Sequence, residues 1–362
     1  MSAASTIEWT DATWNPVRGC ALVSPGCTNC YAMRQAHRAG GPGRAYEGLT
    51  QISKAGPVWT GKVRTVRELL AQPLHWRKPR RIFVNSMSDL FHEDVPEEFI
   101  DKVFAVMALC PQHTFQVLTK RPQRMLKYAA SYVDRQERDG AGINVGPEIL
   151  KRLKGRKYMP ELRWPLPNVW LGVSVEDQAR ADERIPLLLQ TPAAVRWISA
   201  EPLLGPVSLL EYLYRNLQPT PETRTHNGKR QMKMTHEGLR GDLHWVVAGG
   251  ESGPGARPMH PDWVRSLRDQ CAAAGVPFFF KQWGAYAPLF PQYHDEYRLE
   301  DNDDGCTGRD FPDEGVLYRT GYFYDGLEHQ PHTGVGAYWI ARVGKRAAGR
   351  QLDGRTHDEY PA

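Results

Sequence analysis

The feature that most restricts how this chain can fold is a rhythm. Short runs of β-branched and aromatic residues recur, each followed by a polar loop and then by a stretch whose apolar residues fall at helical spacing. Strands are expected at "RIFVNS" (81–86), "TFQVLTK" (114–120), "VWLGVSV" (169–175), "VRWISAEP" (195–202), "LHWVVAGGE" (243–251) and "VPFFFKQWG" (276–284). Between them, "PEEFIDKVFAVMALC" sets Phe99, Val103, Val106 and Met107 on one helical face and puts acidic residues in the first turn, where the helix dipole favours them. Segments 177–190 and 261–274 have the same character, and the second ends at Gly275, a residue suited to a helix C-cap. Strands alternating with helices predict an α/β protein with a parallel sheet, here a partial or full (β/α) barrel of about six units.

Two stretches interrupt the rhythm. Residues 132–164 and 215–241 are rich in charge, Gly and Pro and read as insertions, the second of them mobile. Residues 285–335 show no clear period, and "VGKRAAGRQLDGRTHDEYPA" makes a basic, then polar tail. The expected organisation is a barrel over 1–284 and an irregular extension over 285–362 that packs on it.

No apolar run approaches the roughly 18 residues of a membrane helix, and the mean hydropathy of −0.54 agrees. The opening "MSAASTIEWTDATW" lacks the basic-then-apolar pattern of a secretory signal, so a cytoplasmic setting with reduced thiols and no membrane partner is expected. A net charge of +5 is compatible with a polyanionic partner without demanding one. Oligomeric state is not legible.

In parallel barrels, functional groups gather at the C-terminal ends of strands. All six expected strands end in polar residues: Asn85, Ser86, Ser88 and Asp89; Thr119, Lys120 and Arg121; Ser174, Glu176 and Asp177; Ser199 and Glu201; Glu251 and Ser252; Lys281 and Gln282. Together they predict a polar pocket. The run "RKPRR" (77–81) precedes its strand and therefore belongs to the opposite face.

Three of the six cysteines lie in "RGCALVSPGCTNCYA": Cys20, Cys27 and Cys30, spaced C-x6-C-x2-C in a loop marked by Gly19, Pro25 and Gly26. Structural zinc needs four protein ligands and would have to recruit a fourth, with His37, His92 and His113 as candidates. A [4Fe–4S] cluster on three thiolates instead leaves one iron open to a small molecule. Cys110, Cys271 and Cys306 read as packing or incidental thiols.

With "CTNCYA" near the start of a series of β/α units, the chain resembles the radical S-adenosylmethionine (SAM) superfamily. "CYA", "VNSMSDLF" and "VLTKRP" are similar to the corresponding turns of spore photoproduct lyase-like members. Taken with "EWTDATWNPVRGC", "GVSVEDQ", "ISAEPLLGP", "GGESGPGARP", "FKQWG" and "VGKRAAGRQLDGR", nearly the whole chain resembles a phage- and bacteria-associated family, number 5131 among domains of unknown function. Most superfamily members space the cysteines C-x3-C-x2-C and place Gly-Gly-Glu after their second strand. Here the first gap is longer, and Gly249, Gly250 and Glu251 follow a much later strand.

The resemblance implies a [4Fe–4S] cluster on Cys20, Cys27 and Cys30, and SAM on its open iron. A 5′-deoxyadenosyl radical would then modify or repair a substrate. It implies SAM contacts among Asn85, Ser88, Asp89, Ser174, Glu176, Glu201, Gly249, Gly250 and Glu251. Lys120, Glu201 and Lys281 would act catalytically, Arg121 and Arg257 could meet an anion, and an external donor such as flavodoxin or ferredoxin would supply the electron. The expected substrate is DNA or RNA carrying a lesion or modified base, with Trp283 and Tyr286 available for stacking. Two alternatives stand beside it: a zinc-stabilised nucleic-acid-binding protein without radical chemistry, and a radical SAM enzyme acting on a metabolite or a partner protein.

Overall fold

The computed structural model describes residues 5–139, 164–226, 229–240, 242–288, 315–324 and 337–362. Its centre is a seven-stranded parallel sheet: β1 (Ala12–Trp14), β2 (Arg81–Val84), β3 (Thr114–Thr119), β4 (Val169–Ser174), β5 (Val195–Ala200), β6 (Trp245–Gly249) and β7 (Phe278–Gln282). All six expected strands are present. The seventh, β1, is three residues long and pairs with β2 through Ala12–Ile82, Thr13–Phe83 and Trp14–Val84. It is too short to display any period.

The strands lie side by side in chain order. In a sheet wound one way only, right-handed crossovers leave every helix on the same face, so the other face must close on itself or find another cover. The longer helices are α1 (Tyr31–Arg38), α2 (Glu97–Ala108), α3 (Pro122–Asp139), α4 (Gln178–Gln190) and α5 (Pro261–Ala274). Helix α5 ends as expected, with Gly275 in the left-handed region at φ 64°. Helix α3 covers the start of the first expected insertion, whose remaining residues, 140–163, lie outside the described ones. The second expected insertion contains a long antiparallel ribbon, Tyr214–His226 against Lys229–Arg240, rather than an unstructured loop.

Two cores follow from the alternation of side chains along each strand. Ile82 and Val84, Phe115 and Val117, Leu171 and Val173, Ile198, Val246, Phe278 and Phe280 pack under the helices. Phe83, Trp170, Trp197, Trp245, Val247 and Phe279 point to the inner face with Trp9. Trp9, just before the first strand, meets Phe83 at 4.7 Å, Trp197 of the fifth strand at 5.2 Å and Trp245 of the sixth at 6.1 Å between ring centroids. Contacts across that many strands require the sheet to curl, and the fold is a parallel half-barrel with a tryptophan-filled interior. Gly172 makes room for it: a Cβ there would stand 2.5 Å from the Trp197 ring.

The last residues return to the sheet. Phe280 donates its backbone N–H to His357, Glu359 donates to Phe278, and the Tyr360 ring lies 5.3 Å from Trp245 and 5.5 Å from Phe279. Arg81 stands over the same ring at 4.1 Å and pairs with Asp11 at 3.3 Å. The "RKPRR" run thus sits at the N-terminal ends of the strands, as expected.

Trp245→Ala removes the ring that Trp9, Trp170, Trp197, Phe279 and Tyr360 all touch. It should cost about 3–5 kcal/mol, read in a urea titration as a lower midpoint with the slope unchanged.

Candidate functional site

Above the tryptophans, at the C-terminal ends of the strands, lies a cavity of about 210 Å³. One water needs only about 10–15 Å³ by the same kind of measure, so this space is molecule-sized. Its floor is Ile7, Trp9, Phe83 and Leu118, and its wall carries polar groups from the strand ends. Of the residues read from sequence, Cys20, Cys27, Cys30, Asn85, Ser88, Asp89, Lys120, Ser174, Glu201, Gly250, Glu251 and Lys281 all line it. Glu176 and Gly249 stand behind the wall.

The cysteine loop spans the mouth because two carboxylates fasten it. Glu176, fully buried after β4, accepts hydrogen bonds from Ser24 Oγ at 2.7 Å, from Lys120 Nζ and from Arg184 Nη1 at 3.1 Å. The loop approaches so closely that a Cβ on Gly26 would lie 2.5 Å from the Glu176 side chain, so any larger residue here would have to displace that carboxylate. Burial works to raise the Glu176 carboxyl, but Lys120 and Arg184 outweigh it and hold the group below the ordinary glutamate range.

On the opposite side, Glu251 Oε2 accepts from Asn29 Nδ2 at 3.0 Å and from the Arg257 backbone N–H at 2.9 Å. Its Oε1 takes a 2.7 Å bond from the Arg257 guanidinium, which also donates to the Pro25 carbonyl at 3.0 Å. This carboxyl too is held low against burial, by Arg257 and Asn29. Neighbouring Gly250 is required by the chain itself, since a Cβ would come 1.9 Å from the Trp283 carbonyl oxygen.

A third buried carboxylate organises the turn after β2. Asp89 accepts from Thr119 Oγ1 at 2.8 Å, Lys120 N at 3.1 Å, Arg121 Nη1 at 3.0 Å and Phe91 N at 2.9 Å. Ser88 Oγ donates to the Val17 carbonyl at 2.8 Å, tying this turn to the chain entering the cysteine loop. Lys281 Nζ donates to Glu201 Oε1 at 2.6 Å, with both groups on the cavity wall. Asn85 differs from all of these: it sits in the left-handed region at φ 60°, its Oδ1 accepts from Val17 N at 3.3 Å, and its buried Nδ2 has no protein partner among the described residues.

The three thiols line the same cavity. Burial pushes Cys20 up to about 12, with Asp89 and the other two cysteines adding to the effect, and burial raises Cys30 as well. Burial thus favours the protonated form of Cys20 and Cys30, while a metal-coordinated thiol gives up its proton outright. None of the candidates for a fourth zinc ligand lines the cavity: His37 Nδ1 meets Thr50 Oγ1 at 3.3 Å, His92 Nδ1 accepts from Asp94 N at 3.2 Å, and His113 Nε2 meets the Trp76 carbonyl at 3.1 Å, while His92 Nε2 and His113 Nδ1 are buried without a partner among the described residues. Among the described residues, no group of three or more His, Cys, Asp or Glu side chains is drawn together to hold a metal ion. Cys110 and Cys271 are buried in the helix-side core, and Cys306 lies outside the described residues.

One expectation about stacking changes. Trp283 is buried and donates Nε1–H to the Gln351 carbonyl at 2.8 Å, and Tyr286 is buried too. Tyr31, the aromatic of "CYA", has no stacking role assigned from sequence; it lines the cavity, the residue is 43% exposed, and its hydroxyl donates to Ser86 O at 2.6 Å.

Fold and site together define a class: a singly wound parallel half-barrel whose strand-end cavity is spanned by a clamped three-cysteine loop. The chain belongs to the DUF5131 family, whose model, described as a protein of unknown function, matches residues 4–361. Among solved structures, a mutant of spore photoproduct lyase is similar at a TM-score of 0.35 and 10% identity, covering 93% of this chain and 70% of that chain. No curated protein matches the chain.

Glu176→Leu leaves Lys120 and Arg184 buried without their counter-charge and should destabilise by about 3–5 kcal/mol. In the wild type, a carboxyl whose folded pKa is depressed contributes fully above the ordinary glutamate range, and that contribution is lost as pH falls through the folded value. Stability measured against pH should therefore fall on the acid side in the wild type, and less steeply in the variant.

Proposed function

We propose that this protein is a radical SAM-type enzyme, with Cys20, Cys27 and Cys30 holding a [4Fe–4S] cluster and SAM occupying the adjoining cavity. The observation that carries this reading is that Cys20, Cys27 and Cys30 all line one molecule-sized cavity at the strand ends, on a loop that two carboxylates clamp over it. When bound, the pair supplies a 5′-deoxyadenosyl radical, fed by an external one-electron donor of the flavodoxin or ferredoxin kind. The chain's own residues bind, orient and exclude water. Glu176 and Glu251 hold the loop in register with the strand ends. Asn85 Nδ2 offers a buried donor that no described protein group uses, and burying it without an acceptor costs about 1–3 kcal/mol, so a ligand acceptor there gains affinity. The Lys281–Glu201 pair presents an ammonium and a carboxylate on the opposite wall. Trp9, Phe83 and Leu118 keep the inner end dry.

The substrate in this proposal is nucleic acid, supported by the net charge of +5 and by the exposed ring of Tyr31 at the mouth.

Protein reconstituted anaerobically with iron and sulfide should be brown and should convert SAM to 5′-deoxyadenosine under a chemical reductant. Cys20→Ala, Cys27→Ala or Cys30→Ala should each abolish cluster uptake, while Cys110→Ala and Cys271→Ala should keep it. A colourless protein carrying stoichiometric zinc would overturn the reading.

A further inference from the structure

Charge is distributed unevenly along this chain. Residues 18–67 contain eight Arg or Lys and a single acidic residue, Glu47, so the rest of the chain nets −2 although the whole carries +5. The segment is also one structural unit. Helix α1 packs on a two-stranded ribbon, Thr50–Ser53 against Gly56–Trp59, around a small core of Ala32, Met33, Ala36, Leu49 and Trp59. Arg64–Thr65 pairs back onto Val17–Arg18 at the base of the cysteine loop.

The cations of this basic cap are left to solvent. Arg38, Arg44, Lys54, Lys62, Arg64 and Arg67 are exposed. Arg18, Arg34 and Arg64 donate to backbone carbonyls, and Arg18 also meets the Tyr46 side chain. Among the described residues none of the eight makes an ion pair with a carboxylate. The cations around the cavity behave differently: Lys120, Arg121, Arg257 and Lys281 are each paired with one. Clustered like charges repel and weaken a fold, and a bound polyanion relieves that repulsion.

Six of the eight cations are arginines, whose planar fork suits phosphate oxygens. They recur along the whole segment instead of falling in one run, which suits a linear chain of phosphates. Next to them the exposed Tyr31 ring stands at the cavity mouth, placed to stack on a base. We propose that the basic cap formed by residues 18–67 is the docking surface for a nucleic-acid strand, which crosses the cap with one base at Tyr31. The inference rests on the nucleic-acid part of the proposed function and is independent of the cluster.

The test is fluorescence anisotropy with full-length protein and a fluorescein-labelled single-stranded oligonucleotide, as DNA and as RNA, over a salt series. The variant Arg38→Ala/Lys54→Ala/Lys62→Ala changes only exposed side chains. It should bind about tenfold or more weakly at low salt, and the slope of log affinity against log salt should flatten by about 2, since each phosphate neutralised on a single strand accounts for roughly 0.7 of that slope. Arg77→Ala/Lys78→Ala, on the opposite face, should bind as the wild type does. Equal binding by the triple variant and the wild type would overturn the proposal, as would an equal loss in the opposite-face control. Absence of wild-type binding at low salt has the same consequence. So does displacement of the strand by poly-L-glutamate at equal charge concentration, which would mark the cap as a dock for acidic protein. Failure of SAM cleavage leaves this measurement intact, so the two readings fail separately.

Discussion

A buried carboxylate between two cations, Glu176 between Lys120 and Arg184, is the interaction on which the arrangement of this protein turns. An ion taken out of water is tolerable only when its partners are close and its lone pairs are satisfied, and here those partners come from different parts of the chain. Lys120 follows β3, Glu176 follows β4, Arg184 lies on α4, and Ser24 belongs to the cysteine loop. One side chain therefore joins two strand ends, a helix and the loop that carries the thiols. Glu251 repeats the device on the far side with Arg257 and Asn29. With both in place the loop bridges the mouth of the half-barrel, and the cavity beneath it has a roof.

Much of the fold was legible because burial on both faces leaves a plain trace. Stretches such as "VWLGVS" and "FFFKQ" need apolar residues under the helices and again in the interior, so they stand out against their charged surroundings. Strand β1 left no such trace: three residues show no alternation, and what places them is pairing with β2 and the packing of Trp9 against distant tryptophans. The long ribbon after Tyr214 is rich in Thr, Lys and Arg and has the composition of a loop, and its pairing is visible only in space.

The site was legible as a set of residues but not as a division of labour. Asp89, Glu176, Glu201 and Glu251 look alike in sequence, each a carboxylate just past a strand. In space, Asp89 is consumed by backbone and Arg121, Glu176 and Glu251 fasten the loop, and Glu201 stays on the cavity wall with Lys281. What separates them is the identity of the nearest cation, which a linear sequence does not carry. The three cysteines lie within eleven positions and all reach the same cavity, but sequence spacing says nothing of how their sulfurs stand to one another.

The return of residues 357–360 to the sheet has a consequence in time. Tyr360 lies against Arg81, Trp245 and Phe279, so the second strand and the last two meet at a ring contributed from far along the chain. Closing loops that long is entropically slow, and contacts of such high sequence separation form late. A ribosome making this chain exposes the tryptophan interior, strand by strand, before the segment that covers its lower rim has been synthesised. During that interval the nascent sheet presents unpaired edges and aromatic surface, the state in which chains aggregate or recruit chaperones.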